Sequence, residues 1–309
     1  MTCLEKSRFR DKELGGPNNY VLISPIKDEE KNLPNLIESV ANQTIKPSLW
    51  VIVDDCSQDS SPLIIEKAKR KYKWISSIRL DEEKRRDSWF RISLVLKEGV
   101  NFCYEHANKN GLNFDYLGTI DGDVILDKDY YEKLLNKFKE DPKLGVASGE
   151  PFYLIEKSKV VPAGDSSPGA VKLIRRKCFE ECGGIPVTRA WDSVFNIKAV
   201  IRGWKVKQFH DAKFYVTRQV FSAEGLWKGY KEFGKSSYYL GFNFIHALGK
   251  GLMLTFRRPH YVGLAYLVGY LSSLILREEQ IDDEEVRNYN KYSRIKNAIL
   301  RYLKYPRGN

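Results

Sequence analysis

The stretch Tyr116-Leu117-Gly118-Thr119-Ile120-Asp121-Gly122-Asp123-Val124-Ile125-Leu126 decides the fold. It is apolar at both ends, as a buried strand is, yet carries two carboxylates one residue apart in its middle. Burying unpaired carboxylates costs more than the apolar neighbours gain, so the pair either reaches solvent at a strand end or holds a cation.

Working outward, Tyr20 to Ile26 reads as a strand, and Leu33, Leu36, Ile37 and Val40 recur at helical spacing within Glu29 to Gln43. Leu49 to Val53 reads as a second strand, ending in Asp54-Asp55-Cys56-Ser57. A helix fits Ser61 to Tyr72, with Pro62 in its first turn, where a missing amide proton costs least. Ile75 to Leu80 is a third strand, and a helix follows from about Phe90 to Lys109. This alternation predicts an α/β fold built on an open, mainly parallel sheet. Such sheets bind ligands beyond the carboxyl ends of their strands, where Asp54-Asp55 and Asp121-Gly122-Asp123 both fall.

Downstream, Asp129 to Phe138 is helical and Gly145 to Tyr153 strand-like. The loop PAGDSSPG leads to Lys172 and a helix over Arg175 to Cys182, closed by Gly183-Gly184, and a further helix spans about Asp192 to Arg202. From Gly225 the sequence turns aromatic, glycine-rich and basic. The chain divides into a polar leader (1–19), a catalytic domain (20–224) and a helical C-terminal extension (225–309).

Composition narrows the class. With 42% hydrophobic residues among 309, the chain can build a real core, and 51 Lys+Arg against 40 Asp+Glu give a formal charge of +11. That excess favours an anionic partner: nucleic acid, acidic lipid or a phosphorylated substrate. The five cysteines, Cys3, Cys56, Cys103, Cys178 and Cys182, are scattered, without paired CxxC spacing, and read as free thiols of a reducing cytoplasm. The N-terminus MTCLEKSRFRDKELGG is charged and lacks the apolar centre of a signal peptide. The apolar run His260 to Leu276 is shorter than the roughly 20 residues of a spanning helix, so it reads as buried or interfacial.

A D-x-D at a strand end suits a divalent cation bridging a diphosphate: carboxylates are hard oxygen ligands, and Gly122 leaves room for a phosphate. A solvated acidic loop is the plainer alternative. The motifs SPIKDEEKNLPNLIESVANQT, VIVDDCSQDSS, TIDGDVIL and GGIPVTRAWDSVFNIKAVIRGWKV, in this order, resemble the family 2 glycosyltransferases of the GT-A fold over about Tyr20 to Gln219.

That resemblance implies a metal-dependent, inverting transfer of a sugar from a nucleotide diphosphate, with Mg²⁺ or Mn²⁺, to a hydroxyl of a saccharide or lipid-linked acceptor. Ser24, Pro25 and Asp54 or Asp55 would line the nucleotide pocket. Asp121 would face the ribose or the metal, and Asp123 would bind the metal directly. The family's acidic pair after Gly-Gly is Trp191-Asp192 here, which leaves Asp192 as candidate general base or as a plain helix cap, and Trp191 to stack on an acceptor sugar. Where the family often carries a metal-binding His, this chain has Val216, followed by Thr217 and Arg218. Arg218 remains to clamp the diphosphate, with nearby His210 a further metal candidate.

The basic runs Lys84-Arg85-Arg86 and Arg175-Arg176-Lys177 read as solvated helix faces. Arg257-Arg258, between two aromatic and glycine-rich apolar segments, suits helices lying on an anionic membrane at its cytoplasmic face. A homodimer interface fits the same composition. One rival is a haloacid dehalogenase-like phosphohydrolase using Asp121 as nucleophile. That motif opens such folds near the N-terminus, whereas βα sequence precedes it here. A basic nucleic-acid-binding protein is the other, but no such motif is present, so no nucleic-acid partner is expected.

Overall fold

The computed structural model describes residues 19–80, 88–154, 169–218, 225–256 and 258–293. The Lys84-Arg85-Arg86 run, Arg257, the leader up to residue 18 and all but the last residue of the PAGDSSPG loop lie outside them.

The first three strands, β1 (Tyr20–Ile26), β2 (Leu49–Asp54) and β3 (Ile75–Arg79), alternate with helices α1 (Leu33–Ala41), α2 (Ser61–Lys71) and α3 (Ser88–Asn110). Strand period dictates their two-sided burial. Tyr20, Leu22, Ile26, Trp50 and Ile52 face one apolar cluster under α1 and α2, while Val21, Ile23, Val51 and Val53 face a second one against α3. Both faces of the sheet are covered, as its near-continuous apolar strands require.

The opening stretch is not one strand. β4 (Tyr116–Ile120) pairs in parallel with β1 in the centre of the sheet, whereas β5 (Val124–Leu126) forms its far edge against β8 (Lys205–Val216). Asp121-Gly122-Asp123 is the link between them. A central strand cannot bury two carboxylates, so the chain leaves the ladder where they occur.

The sheet order is β3-β2-β1-β4-β7-β6-β8-β5, with β6 at Leu144–Tyr153 and β7 at Val171–Arg175. The pairs β3–β2, β2–β1, β1–β4 and β6–β8 are parallel; β4–β7, β7–β6 and β8–β5 are antiparallel. The sheet is therefore mixed, and less parallel than the βα rhythm of the first half implies. α4 (Tyr130–Glu140) covers the first face, and α5 (Arg176–Glu181) and α6 (Trp191–Ile201) join α3 on the second.

The extension is helical as expected: α7 (Leu226–Tyr239), α8 (Phe244–Thr255), α9 (Tyr261–Ile275) and α10 (Glu284–Asn288). Its cluster includes Val194 and Ile197 of α6, so it docks on the outer side of that helix. Lys198 Nζ pairs with Asp283 at 2.7 Å, and Arg189 with Glu232 at 3.7 Å. α7 and α9 touch backbone to backbone, because a Cβ at Gly269 would lie 1.9 Å from the Lys231 carbonyl oxygen.

Candidate active site

β1, β2 and β4 run parallel, so their carboxyl ends open on one edge, with Ile26 registered against Asp54. Polar side chains lace the first two loops there. Asp28 N donates to Ser57 Oγ (3.0 Å), Gln58 N to Asp28 Oδ1 (2.7 Å) and Glu30 N to Asp59 Oδ2 (2.9 Å). The alternation of Asp and Ser in VDDCSQDSS thus fixes two loops against each other. Cys56 sits at φ +59°, the left-handed region that favours glycine.

The expected nucleotide residues divide into two groups. Ser24 is fully buried and its Oγ accepts from Trp50 Nε1 at 2.8 Å, so it holds the core rather than an open pocket; Pro25 beside it is half-buried. Asp54 accepts from Ser57 N at 3.0 Å and lies 3.1 Å from the Arg79 guanidinium. Asp55 receives Arg91 of α3, with Nε at 2.8 Å, and Lys27 stands 3.8 Å away. Both carboxylates are buried at the mouth of the crevice, held in place by arginines.

Beside them is an acidic cluster. Asp121 is half-buried; burial pushes its carboxyl well above the usual range, and Asp123, Asp192 and Glu29 add to the push while Arg218 opposes it. Glu29 is the member that the sequence did not single out. It is 7% exposed, accepts from Asn32 Nδ2 at 2.7 Å and pairs with Arg218. Gly122 has a different reason from the one expected. A Cβ there would lie 2.9 Å from Glu29 Cγ and from Ile26 Cδ1, so glycine makes room for Glu29.

Arg218 reaches this cluster because β5 pairs with β8. Val124 registers against Val216, Thr217 N donates to the Asp123 carbonyl at 3.1 Å, and Arg218 Nε donates to Asp123 Oδ2 at 3.1 Å. The guanidinium spans Asp123 and Glu29. His210 does not join it. It is largely exposed and faces Glu150 Oε1 at 2.9 Å, at the start of the break in β8, on the order of 15 Å from Thr217 when counted along the paired β6 at ~3.3 Å per residue.

Asp192 lies in the first turn of α6, whose N-cap is Ala190 in a left-handed conformation. Asp192 is therefore not at the N-cap position, and no side chain among the described residues caps this end of the helix. Its carboxylate rests against Gly169, where a Cβ would be 2.9 Å from Oδ2. Trp191 is 6% exposed and packed in the second core cluster, so it shows no open ring face for a sugar. Beneath both residues is Lys172 of β7, fully buried, with Nζ 2.9 Å from Asn196 Oδ1, 3.3 Å from the Asp192 carbonyl and 5.7 Å from the centre of the Trp191 ring. Burial lowers Lys172 to about 8, against the upward pull of Asp192 and Asp121.

Among the described residues no three carboxylate, histidine or cysteine side chains form a complete metal-ligand set. The charge balance still fits a divalent cation. Glu29, Asp121, Asp123 and Asp192 carry four formal negative charges against the two cations Arg218 and Lys172 that act on Asp121 or share its field. Mg²⁺ and its analogues need only one or two carboxylates when substrate phosphates complete the shell.

The model of the family described as "Glycosyl transferase family 2" matches residues 21–190, more than half of the chain. The chain belongs to this family. It is a nucleotide-sugar glycosyltransferase, and the match removes the phosphohydrolase alternative. A search of curated protein sequences finds no match. Among solved structures, Staphylococcus aureus TarS 1-349 in complex with UDP-GlcNAc is 16% identical, with a TM-score of 0.53 over 93% of this chain and 87% of that one. The mannosyltransferase PcManGT from Pyrobaculum calidifontis, in complex with GDP-Man and Mn²⁺, is 14% identical, with a TM-score of 0.51 over 93% of this chain and 81% of that one. The chain spans 43% of the longer S. aureus TarS structure. These similarities place the glycosyltransferase domain in the GT-A fold.

The buried lysine gives this glycosyltransferase a measurable signature. Because Lys172 drops from 10.5 to about 8 on folding, the unfolded chain binds the extra proton between those values, and stability rises with pH across that window. In urea melts compared with Lys172→Met, the wild type should gain at most about 3 kcal/mol between pH 8 and 10.5. A flat difference would contradict the burial of a charged lysine.

Proposed function

We propose that the protein is a metal-dependent, inverting glycosyltransferase acting on a saccharide or lipid-linked acceptor in surface-glycan synthesis. The observation that carries this reading is the meeting of Asp121 and Asp123, from the link between β4 and β5, with Asp192 of α6 at one edge of the sheet. Asp55, fixed by Arg91, accepts hydrogen bonds from the nucleotide base. Arg218 donates to the diphosphate and leaves its partners Asp123 and Glu29 in doing so. Asp121 and Asp123 would hold a divalent cation, Mg²⁺ or Mn²⁺, which would supply charge to stabilise the departing diphosphate. Asp192 takes the proton of the acceptor hydroxyl as its oxygen attacks the anomeric carbon from the side opposite the diphosphate.

Asp192→Asn should lower turnover by on the order of a hundredfold or more and leave donor affinity nearly unchanged, as read by released nucleotide and by calorimetry. Equal loss of donor affinity would make Asp192 a structural residue.

We also propose that the extension rests on a membrane surface. α8 exposes Phe244, Ile245, Leu248, Leu252, Met253 and Phe256, and α9 exposes Tyr261, Leu264, Val268, Leu271 and Ile275, each set along one side of its helix. Exposed apolar faces of this size are rare on monomers. Among the described residues no helix is long and apolar enough to cross a membrane, so these two would lie along it. The aromatic residues expected at the interface are mostly internal: Tyr230, Phe233, Tyr238, Tyr239 and Phe242 pack within the third cluster, and Lys250 Nζ stands 4.1 Å over the Phe233 ring. The face is thus mainly aliphatic with Phe244, Phe256 and Tyr261 among it, and Lys228, Arg258 and Arg277 of the extension are also exposed.

The full chain should sediment with vesicles containing anionic phospholipid and resist release by high salt, whereas a triple Ile245→Glu, Leu252→Glu, Leu264→Glu variant should stay in solution. A wild type that ignores vesicles and forms a dimer dissolved by these substitutions would make the face an oligomer interface.

A further inference from the structure

The D-x-D and the proposed base come from different elements, the β4–β5 link and α6, and the side chain of Lys172 reaches from the strand beside the first to the turn of the second. Lys172 sits on β7, registered against Thr119, two residues before Asp121 on β4. Its ammonium group is out of water and points at the first turn of α6, donating to Asn196 Oδ1 and to the carbonyl of Asp192 itself. The Trp191 ring closes the remaining side. A charged amine at 0% exposure costs several kcal/mol unless its partners are fixed around it, and hydrophobic residues fill such positions at less cost. The neighbours of Lys172 on β7 are Val171, Leu173 and Ile174, all buried and apolar, so the strand pattern itself asks for nothing charged here.

We propose that Lys172 is a positioning residue for sugar transfer, an internal strut that fixes the Asp192 turn of α6 against the D-x-D strand. The inference rests on the reading of Asp192 as the base. Asn196 belongs to the same device: its oxygen faces the lysine, and its amide nitrogen has no partner among the described residues, so the lysine alone dictates its orientation. Without the strut the turn keeps its helical hydrogen bonds and its apolar packing through Val194 and Phe195, so the fold survives. What is lost is the fixed placement of the carboxylate.

The test uses the full-length protein and the nucleotide sugar that a panel of UDP and GDP sugars identifies as donor. Lys172→Met should melt at or above the wild-type temperature and bind donor within about 2-fold, yet lose about 10- to 100-fold in kcat, the scale of a small misplacement of a reacting group. Asn196→Ala should move kcat in the same direction by less. A kcat for Lys172→Met within about 3-fold of wild type overturns the proposal, as does a joint fall in kcat, donor affinity and melting temperature, which marks a purely structural lysine. If Lys172→Met does not fold, Asn196→Ala decides: lost kcat at unchanged donor affinity supports the strut, and unchanged kcat overturns it. Asp192→Asn in the same assay separates this inference from its premise. Full activity there removes the base assignment itself, whereas an inactive Asp192→Asn beside a fully active Lys172→Met removes the strut alone.

Discussion

Excess negative charge at the carboxyl edge of the sheet is the constraint around which the catalytic half is arranged. Glu29 comes from the β1–α1 loop, Asp121 and Asp123 from the β4–β5 link, and Asp192 from α6. Like charges so placed repel, and this adds to burial in raising the proton affinity of Asp121. Two cations answer from opposite directions: Arg218 from the end of β8, at the solvent side, and Lys172 from β7, inside. The topology sets both in place: the pairing of β5 with β8 brings Arg218 beside Asp123, and the pairing of β7 with β4 places Lys172 beneath the first turn of α6.

Much of this was legible in the sequence, for physical reasons that differ by residue. The near-continuous apolar runs of Tyr20 to Ile26 and Leu49 to Val53 report two-sided burial, which is local, and β1 and β2 fall there. The two acidic pairs at strand ends were visible because a carboxylate in an apolar run demands an explanation. Three-dimensional pairing was not visible. Nothing local in YLGTIDGDVIL reveals that its last three residues pair with Val216, Tyr215 and Phe214. Nor does KDEEKN distinguish Glu29, whose burial depends on Gly122 and Arg218. The burial of Ser24 and Trp191 was not legible either, because it depends on the packing of Trp50 and of the second core cluster, and His210 stands beside Glu150 rather than in the acidic cluster.

The extension bears on the proposed base through α6. Its inner side packs Val194 and Ile197, Thr188 Oγ1 meets the Tyr239 hydroxyl at 2.9 Å, and Lys198 is clamped by Asp283. The helix that carries Asp192 is therefore held on one side by Lys172 and on the other by α7 to α10. Backbone contact at Gly269 makes that support close-packed. A surface that places α8 and α9 on a lipid bilayer would also set the height of the acceptor side of the crevice above it.

Titration calorimetry of UDP and GDP against the wild type and Asp123→Asn, with Mn²⁺ or with chelator, tests the charge argument most directly. The account predicts that one of the nucleotides binds at least about tenfold more tightly with Mn²⁺, that this gain grows as pH rises because Asp121 must give up its proton, and that Asp123→Asn abolishes it. Nucleotide affinity that is the same in chelator, in Mn²⁺ and in the variant would contradict it.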